Sequence, residues 1–240
     1  MKPMRLPESM LLFGIPTVVF YFVTRVLIPY FNRTYNIHPV LTWFMFGGLF
    51  LFLPLFVLAI FLFKRDGYEC NLTTMAVRFR LVRLTKTDWR WLFGGLIGIM
   101  LVTGIVMGSW RLLSIWSGIS PIDTSAPFLH FEPLKGTERL LLLIWVPFFF
   151  FNIVGEEILW RGYILPRQEL AFGRFAWLVN AALWFVFHVC FGVDLLILLL
   201  PVLLILPYVV QKRKNILIGI IMHAVVNGPS FILISLGVIK

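Results

Sequence analysis

The chain has 240 residues, of which 60% are hydrophobic and only 13% charged, with a formal net charge of +10 and a mean hydropathy of +0.93. These values exclude a soluble domain built round one core and indicate a polytopic membrane protein. The basic excess does not point to nucleic acid, because the Lys and Arg residues fall in short segments between apolar runs, which is a topology signal.

The N-terminus reads Met1-Lys2-Pro3-Met4-Arg5 and opens directly into an apolar run with no small-residue cleavage site. It reads as a retained first span rather than a removed signal peptide. Seven spans are expected, each near the ~20 apolar residues that a ~30 Å hydrocarbon core requires. They cover residues 10–31, 41–63, 91–116, 140–165, 175–191, 195–210 and 216–239. The sixth is short and holds Pro201 and Pro207, so a kinked, tilted or incomplete helix is expected there. The fold class is therefore an all-α transmembrane bundle of seven spans, or eight if one is poorly marked. Residues 1–139 form an N-terminal set of helices with a connector, and residues 140–240 form a helical core.

Orientation follows the positive charges. One side carries Lys2, Arg5, Lys64, Arg65, Arg78, Arg80, Arg83, Lys86, Arg90, Arg167, Arg174, Lys212, Arg213 and Lys214. The other carries Arg33, Arg111, Lys135, Arg139 and Lys240. A cytoplasmic N-terminus and an external C-terminus are expected. In the connection at residues 64–90, Val77, Phe79 and Leu81 alternate with Arg78 and Arg80, which suits a short amphipathic piece on the membrane surface. Thr85-Lys86-Thr87-Asp88 resembles a capping box opening the next helix. The opposite loop at residues 117–137 holds Pro121, Pro127 and Pro133 and reads as a connector, with cover over an entrance as the alternative. His38 and His130 in the external loops read as incidental, and Arg25 as a snorkelling side chain. Cys70 and Cys190 form no C-x-x-C pair, so neither a disulfide framework nor a thiolate metal site is indicated.

The polar interruptions carry the chemistry. Residues 140–154 contain no charge, and Glu156-Glu157-Ile158-Leu159-Trp160-Arg161 follows at once. Helical spacing sets Glu157 and Arg161 one turn apart, which suits an ion pair. Glu156 lies about 100° round the helix, on the face of Asn152, without that partner. Ionisable groups inside a membrane are costly and mark function by default, the plain alternative being a cluster that snorkels to water. Two further spans carry His188, one turn after Trp184, and His223 on one face with Asn227. At 1.5 Å per residue from the basic ends, Glu156 lies about 15 Å deep, His188 about 21 Å, His223 about 12 Å and Asn227 about 18 Å. Taken singly, such His and Asn residues also serve as interhelical hydrogen bonders. At a shared depth they suit amide hydrolysis, which needs an activated water, a proton shuttle and donors for the tetrahedral oxyanion.

Glu-Glu-x-x-x-Arg, then His188 in an aromatic helix, then His223-Ala224-Val225-Val226-Asn227, resembles the CPBP family of CAAX proteases and bacteriocin-processing enzymes, also called Abi. The middle motif of that family is usually Phe-x-x-x-His, and here Trp184 stands at the Phe position. The resemblance implies an intramembrane endopeptidase acting on a membrane-anchored or lipidated peptide or protein, in the bilayer of a prokaryotic cell and without nucleic acid. It implies that Glu156 activates water and that Glu157 supports the site through Arg161. It further implies His188 as the second catalytic group, with His223 and Asn227 at the oxyanion. Such enzymes are described both as metalloproteases and as metal-free glutamate proteases. Zn2+ held by Glu156, His188 and His223 stays open, although no His-Glu-x-x-His spacing indicates it. A non-catalytic immunity or binding member, and a proton-coupled transporter using the same carboxylates, are the rival readings.

Overall fold

The computed structural model describes residues 1–238, so Ile239 and Lys240 lie outside the described residues. Among these the chain is helical, with no strand. Helix α1 runs Leu6–Tyr35 and α2 runs Pro39–Arg65. A short α3, Leu72–Arg78, follows. Helix α4, Lys86–Ser117, has 32 residues. At 1.5 Å per residue it is about 48 Å long and so outreaches the hydrocarbon core. Helix α5 covers residues 141–172, α6 is Ala176–Phe187, α7 is Val193–Arg213 and α8 is Ile216–Ser235.

Six helical runs are long and apolar enough to cross a membrane, and one of them, Gly136–Phe191, contains both the fourth and the fifth expected spans. The chain reverses inside it at Gly173, where φ is +56°, a conformation that favours glycine. Helix α6 is shorter than a free-standing span and packs back along α5 and against α1 and α7. Of the kinked, tilted or incomplete helix expected there, the sixth apolar segment is not incomplete: it is a continuous 21-residue helix that contains Pro201 and Pro207.

Helix α5 is central, touching α2, α6 and α8, while α4 lies outermost against α7 and α8. The basic ends gather on one face. There Arg167 bonds Asp66, Arg80 makes a bidentate contact with Glu169 at 2.9 Å, and Arg213 reaches Asp88 at 2.7 Å. The capping box of α4 forms as expected, with Thr85 N donating to Asp88 and Asp88 N to the Thr85 hydroxyl. The alternating segment differs from expectation: Phe79 is not on a surface but buried between Phe63 and Gly162, whereas Val77 is exposed. His38, read as incidental, caps α2 by accepting from Val40 N. Both cysteines are free, Cys70 exposed and Cys190 buried.

Close approach of α2 and α5 depends on a glycine. A Cβ at Gly155 would stand 2.9 Å from the Phe52 carbonyl oxygen, a backbone atom that cannot swing aside. Gly155→Val is expected to lower the melting temperature in detergent, since overpacking costs about 1–3 kcal/mol. Gly14→Val, at a position with nothing within 4 Å, is expected to leave it unchanged. Equal melting temperatures for the two variants would show that the helices part here without penalty.

Candidate active site

Around the glutamate pair α5 is not a plain α-helix. Phe151–Gly155 and Ile158–Ile164 are wide π-turns, a feature that recurs at functional sites. Glu156 is buried and bears three N–H donors. Asn152 Nδ2 donates to Oε1 at 3.0 Å, while the indole Nε1 groups of Trp160 and Trp184 donate to Oε2 at 3.3 and 2.8 Å. The helical spacing that places Glu156 on the face of Asn152 is joined here by neutral donors from the two indoles. Asn152 was legible from its one-turn spacing. Trp184, on another helix, was not.

Glu157 lies behind it and is fully buried. Its Oε1 stands 3.1 Å from Arg161 and 3.1 Å from His223 Nδ1. The Arg161 guanidinium makes no aligned hydrogen bond among the described residues. Instead its Cζ sits 3.5 Å from the centroid of the Trp184 ring, in cation–π contact. The expected Glu157–Arg161 pair is therefore present as a close ionic contact, with the indole face replacing missing hydrogen bonds. His223, expected at the oxyanion with Asn227, also has its Nδ1 coupled to Glu157. Since a carboxylate only accepts, Nδ1 of His223 carries a proton and donates to Glu157.

His188 Nδ1 stands 2.8 Å from the Trp184 carbonyl oxygen. A carbonyl likewise only accepts, so His188 carries its proton on Nδ1 and, when neutral, keeps a lone pair on Nε2. Trp184 thus touches Glu156, His188, Arg161 and His223. It donates to Glu156, accepts from His188, lies under Arg161 and meets the His223 ring edge-on at 5.4 Å.

Glu156, His188, His223 and Asn227 line one cavity of about 360 Å³, walled by aromatic side chains that include Trp43, Phe148 and Phe231. Glu157 and Arg161 lie outside it, in the packed layer beneath. The loop at residues 118–135, read as a connector, contributes Phe128 and Leu129 to the cavity and so covers it. Among the described residues, no three His, Cys, Asp or Glu side chains stand close enough to hold a metal ion. Nδ1 of each imidazole is engaged by an acceptor, the second contact that metal-ligating histidines commonly make, so Nε2 of His188 and His223, with Glu156, is what would hold Zn2+, while the Glu156 carboxylate as placed faces N–H donors.

A helical bundle of membrane-spanning length thus gathers a carboxylate, two imidazoles and an amide in one cavity. Residues 138–228 match the family described as "Rce1-like: Type II CAAX prenyl endopeptidase Rce1-like". The match covers less than half of the chain and shows similarity to that family over this stretch. No curated protein and no solved structure matches the chain significantly.

The buried ion pair has a structural consequence. Removing one partner of such a pair costs about 3–5 kcal/mol because it strands the other charge. Arg161→Ala is expected to lower folded yield and melting temperature in detergent, and Arg161→Met with Glu157→Gln to recover part of the loss. A wild-type melting curve for Arg161→Ala would show that the pair does not hold the helix.

Proposed function

We propose that the protein is an intramembrane endopeptidase that hydrolyses a peptide bond with a water activated by Glu156. The observation that carries this reading is the single cavity shared by Glu156, His188, His223 and Asn227. Glu156 takes a proton from water, and the resulting hydroxide forms a bond to the scissile carbonyl carbon. The carbonyl oxygen becomes an oxyanion, which accepts from the Asn227 amide and from Nε2–H of a His223 charged against Glu157. Donors placed where negative charge develops favour the transition state over the planar substrate. The C–N bond then breaks. The proton held by Glu156 passes to the departing amine, with the His188 Nε2 lone pair as a relay along the cavity wall.

In this scheme Trp184 is a positioning residue. Its N–H aims one Glu156 oxygen, and its carbonyl sets the His188 tautomer. A membrane-anchored or lipidated peptide is the proposed substrate, and the lipid bilayer the proposed setting. The comparisons lend no support to the non-catalytic or transporter readings.

Glu156→Gln keeps the shape of the side chain, removes the basic oxygen and replaces one of the two accepting oxygens by an amide NH2. Its folded yield is expected to persist while cleavage of a membrane-anchored peptide falls to background. Asn227→Ala is expected to be milder, since loss of one oxyanion donor costs about 10²–10³ in rate. A chelator is expected to leave the wild-type rate unchanged. Loss of activity restored by zinc would replace this mechanism with a metal-dependent one. Wild-type cleavage by purified Glu156→Gln would remove the assignment.

Trp184→Phe separates positioning from packing. It keeps an aromatic ring under Arg161 and the backbone carbonyl facing His188, and deletes only the N–H. A hydrogen bond to a charged group is worth about 1.5–3 kcal/mol, so kcat is expected to fall roughly 10- to 100-fold. The melting temperature is expected to fall modestly, since the buried carboxylate loses one of its three donors, so kcat is read on the folded protein. Unchanged kcat would show that the indole N–H does no more than satisfy a buried carboxylate.

A further inference from the structure

The cavity is one-sided, and its sidedness bears on the substrate. The helix ends and loops fall into two layers. In the first, the α2 end at Asp66 bonds the α5 end at Arg167, and the α7 end at Arg213 bonds the α4 start at Asp88. This layer holds Arg5, Lys64, Arg83 and Lys212 among many cations. The opposite layer is tied together by Asp123 N donating to Asp194 and Leu134 N donating to the Ser235 carbonyl. Among the described residues its loops and helix ends carry few cations, chiefly Arg33, Arg111, Lys135 and Arg139.

The cavity runs from the middle of the bundle toward this cation-poor layer. Helix α7 lines it through its first half, from Leu195 to Leu203, and α8 mainly through its second half, from His223 to Phe231. Phe128 and Leu129 of the 118–135 loop form its roof, and Phe191 a side wall. Toward the cation-rich layer the path is closed. Leu159, Trp160, Arg161 and Ile164 are wholly buried there, Phe13 stacks on Trp160 at 4.0 Å, and Asn180 bridges the Trp160 carbonyl to Gln168.

Cation-rich connections stay on the cytoplasmic side of a membrane. Resting on the peptidase reading, we infer that the cavity takes its substrate from the extracytoplasmic side. The substrate class is then a polypeptide segment with apolar side chains that emerges on the outer face of the bilayer, rather than a C-terminus presented at the cytoplasmic face. The walls suit that class: apart from the polar groups at the floor they are mainly aromatic and aliphatic. Phe128 packs between Trp43 and Phe191, at 5.0 and 5.6 Å, where an incoming segment would displace it.

Thiol accessibility tests this without requiring turnover. Cys70 is exposed on the cation-rich side, and Cys190 is buried. A membrane-impermeant sulfonated maleimide applied to intact cells is expected to leave the wild-type chain unlabelled and to label it once the membrane is ruptured. In a Cys70→Ser background, Thr124→Cys on the exposed loop and Ser230→Cys in the cavity mouth are expected to react in intact cells. Leu195→Cys, on the opposite wall, is a second cavity probe should Ser230→Cys fail to fold. Labelling of Cys70 in intact cells overturns the inference, as do cavity probes that react only after rupture or from neither side. The same labelling in a Glu156→Gln background separates the two proposals. Outward labelling with no cleavage by wild-type protein removes the peptidase and keeps the sidedness, whereas cleavage with inward labelling does the reverse.

Discussion

Helix α5 places Glu156, Glu157 and Arg161 within six residues at the centre of a bundle where water is scarce, and the rest of the core is arranged to make those charges tolerable. Moving an ion into such an interior carries an effective penalty of several kcal/mol even after relaxation. A hydrogen bond to a charged group returns about 1.5–3 kcal/mol, and a desolvated cation–π contact about 2 kcal/mol. No single contact of that size is sufficient, so several must converge. Glu156 has three N–H donors, Glu157 has Arg161 and His223, and Arg161 has the Trp184 ring. Two glycines make room. Gly155 lets α2 approach the Glu pair, and a Cβ at Gly219 would stand 2.6 Å from Glu157 Oε2.

The two carboxylates are adjacent in sequence and differ in surroundings, and the difference divides structure from chemistry. Glu157 is turned into the packed layer, neutralised by a cation and coupled to an imidazole. Glu156 is held by neutral donors and borders the cavity. A neutral donor orients a carboxylate without cancelling its charge, so its oxygen remains able to accept a proton. The same contrast explains why the cavity opens one way only. Glu157 and Arg161 are wholly buried, with Gly162 beside them packed on Phe79, while Glu156 borders the cavity.

Much of this was legible in the chain by itself. Apolar run length reveals the bundle, because a hydrocarbon core sets a minimum span. The one-turn spacing of Glu157 and Arg161 indicates their contact, and the capping residues at Thr85 and Asp88 mark the start of α4, since these interactions are local. Depths of Glu156, His188, His223 and Asn227 within about 9 Å of one another can be counted along their helices. Tertiary structure decided what depends on rotation and proximity between helices. Depth says nothing about which way a side chain turns, and the π-turns around Glu156 shift that rotation from the regular 100° per residue. Hence the donation of the Trp184 indole to Glu156, the claim of Glu157 on His223, the burial of Phe79 and the roof formed by Phe128 had no local signal. Each joins residues far apart in sequence through contacts that only packing of the whole bundle brings within reach.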